Sequence, residues 1–203
     1  MKQYTWMLCL TLLVGCHGRQ ATGESLLPDT LQLQEGDVVF RRCSGLTSQM
    51  VVHSDTGGVF SHVGIVVDSA GQKMIVHAVP EEPDYPGDPD RVKMSRPEVF
   101  YAKGYALAAA VRRPRDPQVG RRAAQKALEI YRRGTLFDHD FDDSDTTLMY
   151  CTELIVHAYR AAGIELTDSQ HHEVRLPLVS YRVVMPSQLL QSSELQPIYM
   201  FNP

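Results

Sequence analysis

Residues 60–79, Phe-Ser-His-Val-Gly-Ile-Val-Val-Asp-Ser-Ala-Gly-Gln-Lys-Met-Ile-Val-His-Ala-Val, decide how the rest of the chain is read. Two runs rich in valine and isoleucine, 62–67 and 73–79, flank Ser69-Ala70-Gly71-Gln72. β-Branched runs of this length separated by turn chemistry predict a β-hairpin. Centred on that turn, position 62 pairs with 79 and 64 with 77, so His62 and His77 approach each other on one face. A lone histidine at the start of an apolar strand is ordinarily a satisfied structural residue. Two that converge are the beginning of a base oriented by a second polar group, or, with a thiol, of a zinc site.

Outward from the hairpin, residues 37–40 and 106–112 are further β-rich runs, and the proline-rich stretch 80–97 predicts a loop placed to overhang a cleft. A helix fits 117–133, with Asp116 as N-cap, Pro117 at its first position, Gly134 just past its end, and Ala124, Leu128 and Tyr131 on its apolar face. The next helix fits about 147–162, with Asp145 or Thr146 as cap and Gly163 closing it. Cys151, Leu154, Ile155, Ala158 and Ala162 recur at three- and four-residue spacing, which puts Cys151 in the first turns on the buried face. A last strand fits 178–184, followed by Pro186-Ser187-Gln188 opening a short turn or helix. Strands and helices do not alternate as in a doubly wound sheet, so the fold class expected is α+β with an antiparallel sheet.

The chain has 203 residues, 43% hydrophobic and 22% charged, with a net charge of −4, the composition of one globular domain with no basic field for nucleic acid. Its first residues, Met-Lys-Gln-Tyr-Thr-Trp-Met-Leu-Cys-Leu-Thr-Leu-Leu-Val-Gly-Cys, combine a basic start, a short apolar stretch and a small residue before Cys16. They predict an export signal over 1–15, too short for a bilayer span of about 20 apolar residues. Leu12-Leu13-Val14-Gly15-Cys16 resembles the lipobox of bacterial lipoproteins, which implies a lipidated Cys16 and a membrane anchor in the cell envelope. His17 in place of an aspartate favours the outer membrane, facing the periplasm, in a Gram-negative host. Residues 16–30 then read as a tether and 31–203 as the domain. Cleavage and lipidation leave Cys43 and Cys151 as the domain's thiols, able to pair in an oxidising compartment if the fold brings them together.

Cys151 is the candidate nucleophile. A helix N-terminus favours a thiolate, and an imidazole across the sheet would add to that effect. The alternative is an inert core cysteine, since free cysteine is often buried. Read together, Asp37 in Gly-Asp-Val-Val-Phe, Ser61-His62-Val63-Gly64-Ile65-Val66, residues 75–79, Phe137-Asp138 with Phe141, and Tyr150-Cys151-Thr152-Glu153-Leu154 resemble the circularly permuted papain-like amidases of the NlpC/P60 superfamily, the YiiX/YebB-like group. The resemblance spans about 31–198, with the histidine strand ahead of the cysteine helix. It implies a papain-like antiparallel sheet packed on the cysteine helix, with Cys151 as nucleophile, His62 as base and His77 orienting it. It further implies acyl transfer through a thioester, with no cofactor or metal, acting on a peptide, amide or acyl-lipid substrate. Lipid acyltransferase or phospholipase chemistry on the same residues, and a non-catalytic binding lipoprotein, stay open, and a monomer is expected. Ser48, Gln49 and Tyr150 are candidate oxyanion donors. Asp138, Asp140, Asp142, Asp143 and Asp145 lack the glycine and terminal glutamate of a calcium loop and read as a solvated segment. Glu153 faces away from Cys151 and reads as structural, and His171, His172 and Glu173 read as surface. His53, His139 and His157 show no convergent partner.

Overall fold

The computed structural model describes residues 24–142, 146–168, 172–175 and 180–203. The signal segment with Cys16, Asp143, Asp145 and His171 lie outside them. The hairpin at the centre of the sequence is present: β2 (His62–Ser69) and β3 (Gln72–Val79) pair antiparallel from Ser69↔Gln72 to Ile65↔Val76. That is the register set by the turn, in which Ala70 and Gly71 sit at φ 54° and 80°. Left-handed backbone at both central residues is what a two-residue type I′ turn requires, because its twist matches that of the strands.

β1 (Val38–Arg42) pairs with the free edge of β2, followed by β5 (Ala108–Pro114) and β10 (Leu195–Phe201). On the other side of β3 come β4 (Arg91–Ser95), β6 (Leu136–Phe137) and β7 (Leu148–Met149), completing an eight-stranded sheet. Every neighbouring pair is antiparallel except β6 with β7. The central strands read as continuous apolar runs because both sheet faces are covered. On one face, α3 (Pro117–Arg132) and α4 (Cys151–Ala161) pack Ala123, Ala127, Leu154 and Ile155 against Val63, Ile65 and Val67. On the other, Val66 and Ile75 meet Phe100 and Tyr101, with α2 (Pro97–Phe100) and the chain around Leu26, Leu27, Leu31 and Leu33 as cover. Packing thus includes residues ahead of Leu31, and Ser25 bridges Ala102.

Asp116 caps α3 as expected, its carboxylate accepting from the Gln118 N–H at 2.8 Å. Other expectations need correction. The proline-rich stretch 80–97 is not all loop, since β4 forms inside it with alternating Val92 and Met94. α4 begins at Cys151 rather than about 147, because Leu148–Met149 is drawn into the sheet as β7; the cap position is Tyr150, not Asp145 or Thr146. The late strand is β9 (Ser180–Val183), which pairs with β8 (His172–Arg175) as a separate ribbon. The sequence reading missed α1 (Leu46–Ser54) and β10; α5 (Pro186–Leu190) realises the short helix expected there.

Candidate active site

His62 opens β2 directly across from Arg41 of β1. The described β2–β3 ladder stops at Ile65↔Val76, and beyond it the two imidazoles take over. His62 Nε2 lies 2.9 Å from His77 Nδ1, and His77 Nε2 lies 2.9 Å from Ser95 Oγ on β4. Both histidines are buried. The chain Ser95–His77–His62 occupies both nitrogens of His77 and leaves His62 Nδ1 without a hydrogen-bond partner among the described residues. Gly64 makes this approach possible. A Cβ there would stand 2.6 Å from Ile75 Cγ2, 3.1 Å from the Val76 carbonyl oxygen and 3.2 Å from His77 Cβ.

The pair is sealed by Phe100, whose ring centroid lies 5.7 Å from that of His62 and 5.2 Å from that of His77. The Arg41 guanidinium sits 4.5 Å over the same ring and is 1% exposed. Its Nη1 donates to the Phe100 carbonyl at 3.1 Å, its Nη2 bonds the Glu82 carboxylate, and its Nε has no partner among the described residues. Lys93 stands across from His77 in register, its ammonium 2.8 Å from the Asp84 carboxylate. Two imidazoles thus lie between two cations. Burial above all, then Arg41, then His77 hold the His62 pKa well below the ordinary histidine value. Burial, Arg41 and Lys93 do the same for His77. Both are neutral at physiological pH, because a charged ring would be dry and next to a guanidinium.

Cys151 is the first residue of α4. The turn beneath it is fixed by Glu153, whose carboxylate accepts from the Tyr150 N–H at 3.2 Å, and by the Thr152 hydroxyl, which donates to the Val184 carbonyl at 2.6 Å. Glu153 is therefore the structural helix-start residue its sequence position suggested. Backbone N–H groups of Val63, Thr152 and Cys151 itself act on the sulfur and favour thiolate, but burial outweighs them and pushes the thiol up to about 11. This overturns the expectation of a thiolate made by the helix start and a cationic imidazole. The helix dipole acts on a half-buried sulfur whose desolvation works against it, and the histidines carry no charge. Among the described residues the thiol makes no direct hydrogen bond to His62; Ser61, next to His62, lines the Cys151 cleft.

Two clefts meet here. One, of about 190 Å³, is lined by Cys151 with Met50, Val51, Phe141, Val183 and Met185. The other, of about 250 Å³, is lined by His62 with Ser44, Glu81, Glu82 and Tyr105. Thr47 and Val51 of α1 and Ser61 line both. The Ser48 hydroxyl donates to the Cys43 carbonyl at 2.6 Å and meets Ser61 Oγ at 2.6 Å, which seats α1 against the histidine strand. Cys43 and Cys151 are both free thiols. The described residues hold no group of three or more His, Cys, Asp and Glu placed to bind a metal ion, so they do not assemble the zinc set of His62, His77 and Cys151. Asp138 is buried and accepts from the N–H groups of Asp140 and Asp142 at 2.8 and 2.6 Å, so it organises its own loop. His139 does have a partner, Asp90 at 3.2 Å, on the surface.

A family model described as permuted papain-like amidase enzyme, YaeF/YiiX, C92 family, matches residues 32–199. The chain belongs to this family. A crystal structure titled metalloprotein yiiX, from Escherichia coli O157:H7, has the same fold, with a TM-score of 0.67 and 21% identity over 85% of this chain and 100% of that one. No curated protein matches the sequence. As a member of the C92 family the chain has an α+β papain-like architecture and is an amidase-type hydrolase. Sequence reasoning missed Ser95, Arg41 and Phe100 as parts of the site, and it had Gly64 in the Ser61–Val66 motif without a role assigned. The alternation Arg91-Val92-Lys93-Met94-Ser95 was the available sign for the first. The others are brought in by packing across the sheet and carry no local signature.

Proposed function

We propose that the protein is a cysteine amidase in which Cys151 is the nucleophile, His62 the general base and acid, and His77 the positioning residue. The observation that carries this reading is the Ser95–His77–His62 chain, which ends in the unengaged Nδ1 of His62, in a cleft that shares Thr47, Val51 and Ser61 with the cleft lined by Cys151. In the self-consistent polarity for a base, His62 Nε2–H donates to His77 Nδ1 and His77 Nε2–H donates to Ser95 Oγ. The lone pair on His62 Nδ1 is then directed to reaction.

The resting pair is a neutral thiol and a neutral imidazole. On attack the thiol proton passes to His62 Nδ1 as the Sγ–C bond forms, and backbone N–H groups at the start of α4 stabilise the developing oxyanion. The imidazolium gives its proton to the leaving nitrogen as the C–N bond breaks. Arg41 lowers its basicity and so makes it a ready acid at this step. Water, deprotonated by His62, then attacks the thioester; the S–C bond breaks and the proton returns to sulfur. The lipobox ending at Cys16 supports a place for this chemistry at the membrane surface of the cell envelope.

The test is amide hydrolysis by the purified domain across a panel of peptides and simple amides. Cys151→Ala and His62→Ala should each abolish turnover, His77→Ala should lower kcat by about 10²-fold or more, and Cys43→Ser should retain it. Full activity in Cys151→Ala would reject the assignment. Binding of the panel without turnover, equal in wild type and Cys151→Ala, would instead identify a binding lipoprotein.

A further inference from the structure

We infer that the substrate is an amide whose acyl part carries a compact apolar substituent, seated in the cleft beside Cys151, and whose amine leaves through the cleft beside His62. The inference rests on the reading of Cys151 as nucleophile and His62 as acid. Those roles orient the scissile bond. The carbonyl carbon must meet Sγ and the leaving nitrogen must come within reach of His62, so the acyl substituent extends away from His62 into the Cys151 cleft.

That cleft is chemically one-sided. Met50 and Val51 of α1, Phe141, Val183 and Met185 form its walls, and none of the described residues that line it carries a charge. An anionic substituent would lose its hydration there with no cation to replace it. An apolar one would be removed from water against apolar walls. The volume of about 190 Å³ is somewhat above the roughly 150 Å³ of an apolar cavity that accepts benzene, so a phenyl or short branched chain fits. Methionine on two walls lets the cleft adapt its shape. The neighbouring cleft differs. Glu81 and Glu82 sit on the His62 side with Ser44 and Tyr105. An amine that takes its proton from His62 there departs past carboxylates.

The bonds balance as in the cycle above: Sγ–C replaces C–N, the thiol proton leaves on the amine, and water restores the thiol while the acid product carries the apolar group.

Chloromethyl ketones of the form R–CO–CH₂Cl test the inference without knowledge of the natural substrate, because R occupies the acyl side. The full-length protein is treated with chloroacetone, the benzyl analogue and a carboxyethyl analogue, and the adduct on Cys151 is followed by mass spectrometry. The benzyl compound should label Cys151 at least tenfold faster than chloroacetone, and the carboxyethyl compound more slowly than chloroacetone. Met50→Asp, on the exposed side of α1, should bring the benzyl-to-chloroacetone ratio to near one, and Met50→Leu should keep it. Equal rates for all three reagents on Cys151, or a preference for the carboxylate, would overturn the inference while leaving Cys151 as the nucleophile. No adduct on Cys151 with any of the three reagents, while Cys43 is labelled, would overturn both.

Discussion

Lowering the pH from about 7.5 to 5.5 should destabilise this protein well before its carboxylates titrate, and the buried histidine pair sets the amount. In the unfolded chain His62 and His77 take up protons around the ordinary value of 6.5, whereas in the fold burial and Arg41 hold both well below it. Below 6.5 the unfolded state therefore binds more protons, and stability present above that value is lost as pH falls. An unfolded histidine goes from about one-tenth to nine-tenths protonated over this interval. If its folded counterpart stays neutral throughout, the integrated loss is about 1.4 kcal/mol per histidine and about 3 kcal/mol for the pair. Urea unfolding followed by circular dichroism at three pH values would measure it as a falling midpoint at constant slope. His77→Gln keeps a polar partner for Ser95 and should halve the drop. A midpoint that does not move between pH 7.5 and 5.5, or a drop of the same size in a His62→Gln/His77→Gln double variant, would refute the placement of a neutral buried pair.

Other consequences are open to similar tests. With His62 as the proposed base and neutral at and somewhat below 6.5, kcat/KM should be level between pH 7.5 and 6.5; Arg41→Gln, which removes the guanidinium that helps lower it, should move the acid limb upward, visible in a pH–rate profile. Gly64→Ala forces a Cβ to within 2.6 Å of Ile75 Cγ2 and against His77. It should cost about 1–3 kcal/mol in denaturant unfolding and lower kcat more than it changes KM. Asp116→Ala removes the carboxylate cap on the Gln118 N–H and should cost about 1 kcal/mol of stability with kcat unchanged.

The centre of the fold was legible because its signals are local. The turn at Ser69–Gln72 set the β2–β3 register, and with it the meeting of His62 and His77, without knowledge of any other strand. Pro117, Asp116 and Gly134 bounded α3 in the same way. The start of α4 was misplaced because Leu148 and Met149, apolar and compatible with either state, are held in the sheet by their parallel partners Leu136 and Phe137. β4 was masked by the prolines around it, and the alternation over 91–95, the one local sign of Ser95 as the last member of the histidine chain, was outweighed by them. The thiol was misjudged for a different reason. Position at a helix start is visible in sequence, but the burial that outweighs it depends on the fold bringing Ser61, Phe141 and the chain at 183–186 around Cys151. Family membership places the chain among papain-like amidases, while the roles of individual residues rest on this geometry.

In the proposed mechanism His62 makes a nucleophile of a Cys151 thiol that is protonated at rest. The direct measurement is the rate of Cys151 acylation by an activated ester as a function of pH, read by peptide mass mapping in wild type and in His62→Ala. A single thioester should form on Cys151, at a rate already level by pH 7 and reduced at least a hundredfold by His62→Ala. A rate that climbs with pH toward the thiol's own value of about 11 in both proteins alike, or an adduct carried by Cys43 instead, would contradict it.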